Sequence, residues 1–178
     1  EQRGRKSVLL QQREGVTITE AVTAAELSTG YGLLQGVYRR LQVPLAGRSL
    51  FDAAARILGP AGMFKMWLAR VGDVAAGAMT WLLYNGRIIY WYTGVDKAYS
   101  SFRANDLLVW HCLEWGSANG YRLFDFGGAG KPDEEYGVRD FKAKFGGELV
   151  NLGRYQHTHH PLLLKGSETA YGLLRRFL

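Results

Sequence analysis

Three aromatic-rich runs with two tight turns between them do most to limit what this chain can fold into. Residues 64–71, 75–84 and 87–93 are rich in aromatic and branched side chains, and Gly72-Asp73 and Asn85-Gly86 separate them. Asn-Gly is the strongest short hairpin signal, because both residues tolerate positive φ, so the three runs are expected to form an antiparallel meander. The third run, Ile88-Ile89-Tyr90-Trp91-Tyr92-Thr93-Gly94, is the most aromatic. Strand alternation predicts Tyr90 and Tyr92 on one face, either as core packing or as the lining of a pocket beside a cleft.

Beyond the meander the sheet is expected to change from antiparallel to mixed. A helix over 107–119, capped by Asn105 or Asp106 and closed by Gly120, leads to a short apolar strand over 123–126. A strand, helix and strand in that order place the last strand parallel to and beside the third. That strand reads as buried and central, with Asp125 facing away from Phe124 and Phe126. Gly127, Gly128 and Gly130 then permit a tight turn and close approach to a ligand, Asp133 to Glu135 supply acids, and residues 138–145 have helical spacing ended by Gly146 and Gly147. Residues 148–157 offer a final strand or hairpin, and Ser167 can cap a C-terminal helix with Tyr171, Leu174 and Leu178 on one face.

Before the meander the chain reads as helical. A short run at 16–19 precedes a helix from Thr23, whose hydroxyl and Glu26 form a capping box. Leu27, Tyr31, Leu34, Tyr38 and Leu41 make its apolar stripe. Gly30, Gly32 and Gly36 each cost about 1 kcal/mol relative to Ala, so close packing or a bend must compensate. Arg39 and Arg40 sit near its end, which is expected before Pro44, and a second helix over 49–58 is closed by Gly59 and Pro60.

The chain of 178 residues is expected as one domain over 1–178, with 47% hydrophobic and 21% charged residues and no apolar run long enough for a transmembrane segment. Lysine and arginine outnumber acids by 22 to 16, a net +6 that favours anionic partners such as phosphates, nucleotides, RNA or a lipid surface. The single cysteine, Cys112, excludes an internal disulfide, fits a reducing cytoplasm, and reads as core beside His111 rather than as a nucleophile. The chain begins without Met on a basic amphipathic stretch, so residues 1–15 are expected as a linker or tail within something longer.

Two residues stand out for chemistry. At 100° per residue, Val138, Phe141 and Phe145 define a buried helical face, and Lys142 falls about 60° from its centre, nearer than Arg139 or Lys144. A partly desolvated ammonium there can neutralise an oxyanion or hold a phosphate, or simply pair with Asp125 or a nearby Glu. Arg139 and Lys144 read as solvated charges or RNA contacts. Asp125 is the local candidate to accept a proton or orient an amine; the alternative is a structural hydrogen bond to the glycine turn. His157 and His159 share a face if their segment is a strand, yet no carboxylate or cysteine has matching ligand spacing, so no metal is expected. No nucleophile elbow and no P-loop is present.

The order of helices, meander, helix, strand and helix resembles the GNAT acyltransferase fold, an α/β mixed sheet with helices on both faces. The run from Asn105 to Tyr155, and above all the linked Phe-Asp-Phe-Gly-Gly at 124–128 and Gly-Val-Arg-Asp-Phe-Lys-Ala-Lys-Phe-Gly-Gly at 137–147, is similar to the second half of the FemABX family. Members of that family transfer amino acids from aminoacyl-tRNA to peptidoglycan precursors, so the resemblance implies a cytoplasmic transferase. Its donor is aminoacyl-tRNA or another activated acyl group, and its acceptor is an amine such as that of a cell-wall precursor. It also implies a second GNAT-like domain ahead of this one, and it implies neither DNA binding nor a cofactor.

The family's phenylalanine-lysine pair maps onto Phe141 and Lys142, and its aromatic substrate strand onto Tyr90 and Tyr92. With Asp125 and Lys142 as the catalytic candidates, the expected substrate-binding set is Phe141, Tyr90, Tyr92, Arg139, Arg40, Arg103, Asn105 and Tyr136. Most GNAT enzymes hold acyl-CoA with a glycine-rich loop, which here reads Tyr99-Ser100-Ser101-Phe102-Arg103-Ala104-Asn105-Asp106 without glycine. Arg103 and the helix start could still meet a phosphate. An acyl-CoA-dependent N-acyltransferase and a non-catalytic substrate- or RNA-binding half remain the alternatives.

Overall fold

The computed structural model describes residues 15–131, 134–151, 153 and 155–174. Asp133, Leu178 and most of the expected tail lie outside the described residues. The chain divides into two compact units at Gly147/Glu148.

The first unit is built on a five-stranded sheet in sequence order. Strand β1 (Val16–Glu20) pairs antiparallel with β2 (Phe64–Val71), which pairs with β3 (Val74–Tyr84), which pairs with β4 (Arg87–Val95). Asn85 and Gly86 turn the last hairpin with φ of 48° and 72°, the left-handed pair that lets a two-residue turn match strand twist. Strand β5 (Leu123–Asp125) adds in parallel to β4. The mixed sheet is therefore the expected one.

Alternation on β2 decides which layer covers which face. Phe64, Met66 and Leu68 pack with Leu34 of α1 (Ala24–Leu41) and Phe51 and Ala54 of α2 (Arg48–Ile57). On the other face, Trp67 and Ala69 join Met79, Trp81, Leu83 and Ile88 under Leu107, Leu108 and Cys112 of α3 (Ala104–Ala118). Burial pushes the Cys112 thiol far up, as expected of a core residue.

The Thr23–Glu26 capping box starts α1 as expected, and the helix ends at Leu41 with Gln42 in the left-handed region. Close packing compensates only one of its three glycines. A Cβ at Gly30 would stand 2.3 Å from the Met66 sulfur, whereas Gly32 and Gly36 face open space. Leu41, counted in the apolar stripe, is 56% exposed.

Other expectations are corrected. Strand β5 is neither buried nor central. It is the last strand of the sheet, with Leu123 and Asp125 exposed, and residues 148–157 contain no strand among those described. Helix α3 begins at Ala104, after a 3-10 turn over Lys97–Phe102, so Asn105 and Asp106 lie inside its first turn rather than capping it. Tyr90 and Tyr92 do not share a face. Thr80 pairs with Tyr92 and Trp81 with Tyr90, so Trp91 is an extra residue, a bulge that resets the alternation. The buried Thr80 hydroxyl holds the bulge, accepting from the Tyr92 N–H at 3.1 Å.

After the glycine loop, α4 (Gly137–Ala143) buries Phe141 and Phe145 partly against the α3-side core, but Val138, expected beside them, is 42% exposed. Gly146 and Gly147 end the helix with φ of 81° and 104°. In the second unit, α5 (Pro161–Leu174) opens on a proline, whose missing N–H costs nothing in a first turn. Ser167, expected as its cap, lies in its interior and donates to the Leu164 carbonyl at 2.7 Å.

Candidate functional site

The β4–β5 ladder stops at Ile89 and Asp125, while β4 runs on to Val95. Past that point the two strands no longer pair, and polar side chains collect in the opening.

The turn out of β5 is set by Asp125 itself. Its Oδ1 accepts the Gly127 N–H at 2.8 Å, and Gly127 has a φ of 69° that a side chain would strain. This is the structural hydrogen bond weighed from the sequence. Cations of α4 then gather the carbonyls of the next loop. Lys142 Nζ donates to the Gly128 carbonyl at 2.6 Å, Arg139 Nε to that of Ala129 at 2.9 Å, and Arg139 Nη2 to that of Lys131. Arg139 therefore clamps the loop rather than standing as the solvated charge weighed for it. Tyr136 covers Gly130, where a Cβ would come within 2.7 Å of its ring, so only glycine fits.

Lys142 Nζ also stands 5.8 Å from the centre of the Tyr90 ring, a cation over an aromatic face. Burial lowers its pKa and the Asp125 carboxylate opposes that shift. The two are close enough to interact electrostatically, yet among the described residues Lys142 forms no ion pair with Asp125 or any Glu.

Behind Lys142, burial pushes the Tyr90 hydroxyl up to about 12, against its hydrogen bonds to the side chains of Thr93 and Asn105. Thr93 Oγ1 lies 3.0 Å from Asn105 Oδ1 and donates to it. The Tyr38 hydroxyl, raised by burial and by the neighbouring Tyr92, is hydrogen-bonded to the Thr93 backbone. Tyr38 and Thr93 were missed in the sequence. Tyr38 read as part of an apolar stripe, and helical spacing says nothing about where a hydroxyl at the end of a stripe points.

The structure thus brings together Lys142, Asp125, Tyr90, Asn105, Tyr38 and Thr93, with Tyr136 at the rim. Three expected substrate-binding residues lie elsewhere, and Tyr92 meets the site only from the α1 side. Its ring is 5.6 Å from that of Tyr38 and 5.1 Å from that of Phe51, while Phe141 meets Phe145 edge to face at 5.3 Å as support for α4. Arg40 is exposed in the last turn of α1. Arg103, in the left-handed region at the start of α3, pairs with Asp106 at 2.7 Å. The pair puts a carboxylate in the first turn of α3. Cavities of about 400 Å³ beside β1 and α3 and about 370 Å³ near the β3–β4 turn lie away from this opening.

No group of three or more His, Cys, Asp and Glu that could hold a metal occurs among the described residues. His157 and His159 are on no strand; their rings meet edge to face at 4.5 Å.

Solved structures share this fold at low identity. FemX superposes with a TM-score of 0.70 at 15% identity, over 80% of this chain and 52% of its own, so this chain spans about half the length of FemX. A possible acetyltransferase from Clostridium difficile 630 gives 0.63 at 11% identity, over 83% and 99% of the two chains. AAC(6')-Iy, in complex with the bisubstrate analog CoA-S-monomethyl-acetylneamine, gives 0.61 at 14% identity, over 82% and 99%. No curated protein matches the sequence. The acetyltransferase (GNAT) domain model matches residues 2–142, most of the chain, and the protein belongs to that GNAT acyltransferase family.

Proposed function

We propose that the protein transfers an aminoacyl group from aminoacyl-tRNA to an amine, in the manner of FemAB-like enzymes, with the amine of a cell-wall precursor as acceptor. The observation that carries this reading is Lys142, a partly buried ammonium held at the loop carbonyl where β4 and β5 part. The amine nitrogen attacks the ester carbonyl carbon, a C–N bond forms, and the carbonyl oxygen becomes an oxyanion. Lys142 turns from the Gly128 carbonyl to donate to that oxygen. Collapse of the intermediate breaks the C–O bond, and the departing ribose hydroxyl takes up the proton the amine gives away. Asp125, anchored to the turn through Oδ1, orients the amine through Oδ2. Tyr90 and Asn105 fix the floor on which Lys142 rests.

We place the reaction in the cytoplasm, where aminoacyl-tRNA is made, and propose a second GNAT-like half in the full-length protein, in keeping with the half-length match to FemX. An acyl-CoA donor is the second reading, favoured by the likeness to AAC(6')-Iy in complex with a CoA analog. Against it stands the Arg103–Asp106 pair at the start of α3.

Lys142→Ala tests the catalytic reading. Transfer of labelled amino acid by the full-length protein is expected to fall about 100- to 1,000-fold, with the thermal midpoint unchanged. Activity equal to wild type would sink the assignment and favour a non-catalytic half. Titration calorimetry with acetyl-CoA separates the donors: no heat is expected, and micromolar binding would overturn the aminoacyl-tRNA reading.

A further inference from the structure

Among the described residues, Thr80 is the one hydroxyl-bearing residue at 0% exposure. It stands on β3 opposite Met66 of β2 and so shares the α1–α2 face of the sheet. A buried hydroxyl needs partners, and this one meets both backbone groups of Tyr92: it accepts from the N–H at 3.1 Å and donates to the carbonyl at 3.4 Å. Fully buried, Thr80 cannot touch a substrate. Any influence on the site must pass through the strand it holds.

That strand carries the extra residue, Trp91. In a regular strand, residues three apart face opposite ways. Tyr90 nevertheless packs with the α3-side core, and the Thr93 hydroxyl donates to Asn105 of α3, so both face α3 across the bulge. The Tyr90 hydroxyl can then hydrogen-bond to the side chains of Thr93 and Asn105 together. Its anchored ring is the face over which Lys142 Nζ stands, 5.8 Å from the centroid. With regular alternation, Tyr90 or Thr93 would turn to the α1–α2 side. Lys142 would lose the ring, or the ring would lose its anchor.

We propose that Thr80 is a positioning residue for transfer: its hydroxyl pins the bulge that keeps Tyr90 and Thr93 on one face, and through Tyr90 it sets the place of the Lys142 ammonium. The role rests on the reading of Lys142 given above.

Thr80→Val removes the hydroxyl at nearly constant volume, whereas Thr80→Ser keeps it and loses a methyl. In the full-length protein, Thr80→Val is expected to lower kcat about tenfold with KM for aminoacyl-tRNA changed by less than about twofold. Thr80→Ala, which lacks the hydroxyl without the added apolar bulk, should match it. Thr80→Ser should transfer near the wild-type rate despite a lower thermal midpoint. In a Tyr90→Phe background, Thr80→Val should add little, leaving a loss of about tenfold rather than about a hundredfold, because both act through one phenol. Native-state hydrogen exchange needs no substrate: the Tyr92 amide should lose protection in Thr80→Val and keep it in Thr80→Ser. A rate that follows the thermal midpoint across the three variants, independent losses in the double variant, or an unchanged Tyr92 amide overturns the proposal. Lys142→Ala separates the two possible failures. Lost transfer there beside wild-type transfer in Thr80→Val overturns the positioning role alone, and wild-type transfer in Lys142→Ala overturns both readings.

Discussion

Two aromatic-rich regions of the sheet treat polar atoms in opposite ways. On the α3 side of β2 and β3, Trp67, Trp81 and His111 pack ring on ring, with centroids 5.1 Å apart for the two indoles and 4.3 Å for Trp67 and His111. Both indole N–H groups and His111 Nε2 are buried with no hydrogen-bond partner among the described residues. Where β4 and β5 part, the hydroxyls of Tyr90, Thr93 and Tyr38 are all hydrogen-bonded. The first region gives up polar satisfaction for packed area, and the second organises its polar atoms toward an opening. Aromatic content alone therefore marks no site; the end of the strand ladder does.

That contrast predicts that the first region carries stability and the second carries rate. Trp81, fully buried, should be the larger of the two in stability: Trp81→Ala is expected to lower the unfolding free energy by about 3–5 kcal/mol in urea titration. A loss as small as that of a surface substitution would break the comparison. Tyr90→Phe leaves Thr93 and Asn105 without the phenol and should cost about 1–2 kcal/mol. Its sharper effect is on transfer, which should fall by about tenfold, and a variant that transfers at the wild-type rate would reduce the polar cluster to packing.

The smallest effect concerns pH. Burial lowers the His111 pKa, against the opposing influence of Glu114 and Glu20. The unfolded chain, with a histidine near 6.5, binds the proton more readily, so stability falls as pH drops through that value toward the folded pKa. His111→Gln should flatten the thermal midpoint between about pH 7 and pH 5. A midpoint that still falls as steeply would assign the dependence to other groups.

The amino-acid order by itself determined the local and repetitive parts of this protein. The Asn85-Gly86 turn, the β2 boundaries, the Thr23–Glu26 cap and the mixed sheet were all legible, because each depends on neighbours in sequence or on a simple period. Helical angle alone set Lys142 apart from Arg139 and Lys144 in the sequence, but that angle does not contain its reach to the Gly128 carbonyl. Only tertiary structure could decide the rest. The bulge at Trp91 moved Tyr92 to the opposite face, and its cause, the Thr80 hydroxyl, lies on another strand. Carbonyls of the glycine loop turned Arg139 into a clamp, and the sheet order put β5 at the edge. Register, edge position and hydrogen-bond partners are set by atoms far apart in the chain. A pattern read along one strand or one helix does not contain them.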